Sequence, residues 1–187
     1  MTKNSPKHQE VTQILNAGGV VIFPTETLYG LGCDATNPQA LLKIYQIKGR
    51  AIGKAFPILV KDFNMLSEYA HFTPEQKKAM TKSKQPITFI LKAKNLSPLA
   101  AMKHTGAFRI AKHRWIKELF RHFDKPIIAT SANIAGKDPL RDPSQYKEMF
   151  KKAAEMIDAV IHAGINNKKK GSKIVDLTKK PYRVVRS

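Results

Sequence analysis

The sequence predicts a single α/β domain built on a twisted, mixed sheet, and three observations carry that prediction. Apolar runs of strand length, Val20–Phe23, Phe56–Val60, Ile87–Leu91, Ala107–Ala111 and Ile127–Thr130, alternate with segments whose apolar residues recur at helical spacing. The interleaving follows no regular βαβ repeat, which favours mixed over purely parallel pairing. The 187 residues, 42% of them hydrophobic, suffice for one core but not for two sizeable ones. With no internal repeat, low-complexity linker or boundary in view, residues 1–187 are expected to form one domain.

Taken in order, Ser5-Pro6 reads as an N-cap with proline at the first helical position, and Val11, Ile14 and Leu15 form the buried face of a helix that Gly18-Gly19 ends. Val20–Phe23 is the first strand. Asn37-Pro38 opens a second helix with Leu41, Ile44 and Tyr45 on one side and Lys48-Gly49-Arg50 at its exit. After the strand Phe56–Val60, Asp62 caps a helix, and Thr73-Pro74-Glu75-Gln76 is a capping box that starts the next. Strands follow at Ile87–Leu91 and Ala107–Ala111. Trp115, Ile116, Leu119, Phe120 and Phe123 recur at helical spacing and read as a core face, not a base-stacking platform. Ile127–Thr130 is a buried strand, Asp142-Pro143-Ser144-Gln145 opens another capped helix, and strands are expected at 157–162, 173–177 and 182–186. The run from Asn166 to Ser172 is the most loop-like segment.

Composition narrows the function. No apolar run approaches the roughly 18 residues of a membrane span, and the first seven residues lack a signal-peptide core, so a cytoplasmic protein is expected. A lone cysteine, Cys33, permits neither an internal disulfide nor a cysteine metal cluster and is expected to pack beside the first strand. Lys and Arg number 33 against 14 Asp and Glu, a net charge of +19 that attracts polyanions, RNA among them, although such a charge also suits a solvated surface.

The chemistry concentrates in Gly18–Arg50. A strand halted by Pro24 delivers Thr25, Glu26, Thr27 and Tyr29 to its carboxyl end, where open α/β sheets place ligands. Gly30 and Gly32 are expected to let the backbone turn sharply or approach a ligand, and Lys48 and Arg50 to draw anions. Arg109, in a mostly apolar strand, requires a partner or a ligand. Ser131-Ala132-Asn133 forms a second cluster of small polar groups at a strand end. The six histidines suggest no catalytic triad, and metal-ligand spacing is absent.

The run Pro24-Thr25-Glu26-Thr27-Leu28-Tyr29-Gly30-Leu31-Gly32, then Lys48-Gly49-Arg50, Ser131-Ala132-Asn133 and the closing Arg186, resembles the YrdC/TsaC family of threonylcarbamoyl-AMP synthases, with the motifs in the family's order across nearly the whole chain. The resemblance implies an α/β domain with a concave basic face, without the C-terminal domain of longer members. It also implies synthesis of L-threonylcarbamoyladenylate from L-threonine, bicarbonate and ATP for the t6A modification of tRNA, with Mg2+ held mainly by the ATP phosphates. Lys48 and Arg50 would contact the triphosphate, Ser131, Asn133 and Arg186 would hold ATP, and Thr25 and Arg109 would hold threonine. Tyr29, Lys54, Thr88 and Ser172 match site-lining positions. Threonylcarbamoyl-transferase proteins would be partners, and tRNA could meet the basic face. The sequence departs from the family pattern at Ala51, Ser83–Gln85, Ala135 and Lys173. An RNA-binding or ribosome-associated module with a vestigial nucleotide site is the alternative; a relative of the YrdC-like domain of hydrogenase-maturation proteins is disfavoured by the absence of their accompanying segments.

Overall fold

The computed structural model describes residues 5–53, 55–82, 85–168 and 171–186. Two sheets carry the chain, and their junction makes the site. In the smaller, Val21–Phe23 (β1) and Gly30–Gly32 (β2) pair antiparallel as a hairpin, the parallel strand Ala159–Val160 (β9) flanks β1, and Thr130–Ser131 (β8) flanks β2. The larger sheet runs Arg183–Arg186 (β11), Lys173–Asp176 (β10), Ile87–Ala93 (β5), Thr105–Ile110 (β6), Pro57–Val60 (β3) and Ile127–Ile128 (β7), with Ala70–His71 (β4) against the end of β5. Parallel pairs (β3 with β6, β5 with β10) mix with antiparallel ones, as the irregular interleaving requires.

The run Ile127–Thr130 does not stay in one sheet. Ile127–Ile128 pairs with β3, and after Ala129, whose N–H reaches the Pro57 carbonyl, Thr130–Ser131 pairs with β2. This crossing carries Ser131 and Asn133 away from the larger sheet and toward the hairpin.

Gly30 and Gly32 are strand residues, and neither turns the chain. A β-carbon at Gly32 would collide with the Ile128 carbonyl oxygen, so the residue is small where two backbones meet. The first helix, His8–Asn16 (α1), begins later than Ser5-Pro6 suggests: the Glu10 carboxylate accepts from the Lys7 N–H, while the Ser5 hydroxyl accepts from the His162 N–H and stitches the N-terminus to the chain after β9. Pro38–Lys48 (α2) has Asn37 as its N-cap, accepting from the N–H groups of Gln39 and Ala40, and ends at Gly49, whose φ of 57° is the left-handed geometry glycine adopts without a β-carbon clash.

Phe63–Tyr69 (α3) is capped by Asp62, and Pro74–Thr81 (α4) carries its capping box, with Gln76 also donating to the Leu177 carbonyl. Arg114–Leu119 (α5) is short, yet Trp115, Ile116, Leu119, Phe120 and Phe123 are all buried. Asp142 caps a 3-10 turn, Pro143–Gln145, ahead of the brief helix Tyr146–Phe150 (α6), in place of one continuous helix. Cys33 is buried beside β2, and burial raises its thiol pKa.

Candidate active site

Residues of α2, β2, β3, β6, β8, β10 and β11, with the loop after β1, converge on a cavity of about 890 Å³. The loop after β1 is closed by its own side chains: the Thr25 hydroxyl donates to the Leu28 carbonyl at 2.6 Å and accepts from the Thr27 N–H at 3.1 Å. Tyr29 is fixed by its hydroxyl, which donates to Gly164 O at 2.7 Å and accepts from Ala163 N.

Lys48, the last residue of α2, is 3% exposed and donates to Ser131 O (2.7 Å), Asn133 O (2.9 Å) and Asn133 Oδ1 (2.9 Å). All three ammonium protons therefore hold the strand end that left the larger sheet. Asn133 Oδ1 also accepts from the Ser131 hydroxyl at 2.7 Å, and its amide donates to Lys137 O. Burial, with a smaller push from Arg50, lowers the Lys48 pKa from 10.5 to about 8. Arg50, two residues past α2, lines the cavity with its guanidinium 5.0 Å from the Phe56 ring centre.

Arg186 also lines the cavity and directs Nε and Nη2 to Ser172 O at 3.2 and 2.7 Å, and the Ser172 hydroxyl pairs with that of Thr88 at 2.7 Å. Arg109, on β6, is 5% exposed. Its Nη1 donates to the Thr27 hydroxyl at 3.2 Å, and its Nε lies 3.5 Å from Glu26 Oε1. Burial pulls its pKa down and Glu26 partly restores it.

Of the residues the sequence singled out, Thr25, Tyr29, Lys48, Arg50, Arg109, Ser131, Asn133, Ser172 and Arg186 line this one cavity. Thr88 does not. It is fully buried behind Ser172 and acts by holding that hydroxyl. Lys54 lies outside the described residues, as do Ser83 and Lys84. Sequence reasoning left Glu26 and Thr27 without roles, although the same threonine-rich run signalled them; their parts emerge only from the distance to Arg109. Ala135, one of the departures from the family pattern, also lines the cavity, whereas exposed Lys173 does not. Four cationic side chains and no carboxylate face the cavity among the described residues, so the space suits a polyanion with small polar attachments.

Residues 13–187 match the Sua5/YciO/YrdC family model, described as telomere recombination. The chain is 31% identical over 174 residues to a threonylcarbamoyl-AMP synthase of Photobacterium profundum, covering 90% of this chain and 92% of that protein. Among solved structures it resembles P. abyssi Sua5 complexed with L-threonine (TM-score 0.86, 28% identity, 96% of this chain and 53% of that one). It also resembles E. coli YciO (TM-score 0.85, 25% identity, 98% and 91%). The chain thus spans about half the length of the Sua5 chain.

Proposed function

The chain belongs to the Sua5/YciO/YrdC family, and from that premise we propose that it is an L-threonylcarbamoyladenylate synthase serving tRNA t6A modification. The observation that carries the reading is the one cavity that Lys48, Arg50, Arg109 and Arg186 line together with Thr25, Ser131 and Asn133. The Lys48–Ser131–Asn133 group, with Arg50 beside it, takes the nucleotide, and Arg186 adds its charge to the phosphates. Thr25 and Arg109 take the amino acid, its carboxylate on the guanidinium.

A carbamate, formed from the threonine amine and bicarbonate with loss of water, presents an oxygen to the α-phosphorus of ATP. The new P–O bond forms as the bond to pyrophosphate breaks. Every participant is anionic, so the protein contributes mainly charge neutralisation and alignment. Arg50 and Arg186 stabilise the phosphates, while Lys48 holds Ser131 and Asn133 in place and adds its positive charge. No group of three or more His, Cys, Asp or Glu among the described residues forms a metal cage, so the residues present do not fit a resident metal; Mg2+ would arrive as part of the nucleotide substrate.

Proteins that transfer the threonylcarbamoyl group to tRNA would consume the product, in the cytoplasm. Among the described residues no helix is long and apolar enough to cross a membrane. The +19 charge favours a second reading, RNA binding, either alongside synthesis or in its place. Incubation of the purified chain with ATP, bicarbonate and L-threonine, followed by mass detection, tests the proposal. Threonylcarbamoyl-AMP is expected, and its absence together with salt-sensitive RNA binding would move the function to the second reading.

A further inference from the structure

Two cavities meet at the loop after β1. The second, of about 820 Å³, is lined by Glu26, His113, Arg114, Asn166 and Lys168 among others, and it shares Thr25 and Tyr29 with the first. One ion pair crosses the shared wall: Arg109 lines the first cavity and Glu26 the second.

The pair is poorly made. Neither Glu26 carboxylate oxygen has a hydrogen bond, and neither does Arg109 Nε, although all three atoms are buried. A desolvated guanidinium needs a counter-charge, but a well-formed partner meets it in a shorter, hydrogen-bonded fork. A second carboxylate, entering the first cavity with freedom to orient itself, can bind Arg109 better than Glu26 does.

We propose that Glu26 is an internal stand-in for the substrate carboxylate, compensating Arg109 until an amino acid docks and then turning into the second cavity. This rests on the reading of Arg109 as the amino-acid ligand. The second cavity is suited to receive the carboxylate. Lys168 and Arg114 bring positive charge to it, and the Lys168 ammonium already donates to the Glu26 main-chain carbonyl, so a cation is anchored at the residue that moves. His113 accepts the Trp115 N–H at Nδ1, 3.3 Å away, which leaves Nε2 as the proton-bearing nitrogen of the neutral ring and a donor for an arriving oxygen. Amino-acid affinity is then the outcome of a competition, and an amine without a carboxylate cannot displace Glu26.

Calorimetric titration of L-threonine and of its alcohol analogue, L-threoninol, into wild type and Glu26→Gln tests the competition. The substitution keeps the side chain's shape and removes its charge. Threonine should bind the variant roughly 5- to 50-fold more tightly, and threoninol should bind neither protein. The His113 imidazole pKa, followed by NMR, should rise when threonine is added to wild type and stay fixed in Glu26→Gln. Glu26→Asp, which shortens the side chain and lengthens the pair, should bind threonine with intermediate strength and serves if Glu26→Gln does not fold. Equal or weaker threonine binding by the folded variants, or a wild-type His113 that threonine leaves unmoved, overturns the proposal. Should wild type bind a different amino acid instead, the threonine reading falls and the same comparison decides the Glu26 proposal with that amino acid. If no amino acid binds any of these proteins, both fall.

Discussion

An ammonium buried to 3% exposure must find acceptors, and Lys48 finds three on Ser131 and Asn133. Its pKa near 8 sets the direction of a pH effect. Below about pH 8 folded and unfolded chains both carry the proton, and the desolvation cost is fully present. Between about 8 and the ordinary value of 10.5 the folded chain releases the proton first and that cost fades. Phosphate affinity moves the other way, because the cation is lost over the same interval. Calorimetry should show ATP binding weaken roughly 3- to 10-fold between pH 7 and 9, with a flat profile in Lys48→Met. Arg50 contrasts with Lys48, its guanidinium lying over the Phe56 ring. Arg50→Ala should therefore cost less than about 1 kcal/mol of stability in urea while lowering turnover by roughly 10²- to 10³-fold.

At the scale of elements, the junction of the two sheets positions the site. Gly32→Ala drives a β-carbon into the Ile128 carbonyl and should destabilise the protein by about 2–4 kcal/mol in urea unfolding, since backbone on both sides must shift. Thr88→Val, nearly isosteric, leaves the Ser172 hydroxyl without its partner and should cost about 1–2 kcal/mol. It should also weaken ATP binding, because Ser172 is the residue whose carbonyl Arg186 grips. Much at this scale was legible in the sequence. The capping residues Asn37, Asp62 and Thr73 declare helix starts by their own side chains, and the motif cations fall at element ends. The split of Ile127–Thr130 between sheets was not legible, because a continuous apolar run says that it is buried and not against what. Lys48's bonds were hidden for a similar reason: two of its three acceptors are main-chain carbonyls, which carry no sequence signature. Thr88 was assigned to the lining by its family position, yet burial behind Ser172 depends on the parallel pairing of β5 with β10, which spacing alone does not give.

For the whole molecule, the sheet junction brings residues from one end of the chain to the other into one basic cavity. A net charge of +19 raises the local concentration of every anionic reactant, so turnover at subsaturating substrate should fall as salt rises. On the proposed function, one cavity holds the nucleotide and the amino-acid parts of a single product. Pyrophosphate release, measured with ATP, bicarbonate and varied L-threonine in wild type, Arg50→Ala and Arg109→Ala, tests it most directly. Release that requires threonine, collapses in Arg50→Ala and needs much more threonine in Arg109→Ala, with the KM for ATP nearly unchanged there, is the predicted result. Release indifferent to threonine, or an Arg109→Ala defect in ATP affinity in place of threonine affinity, would contradict it.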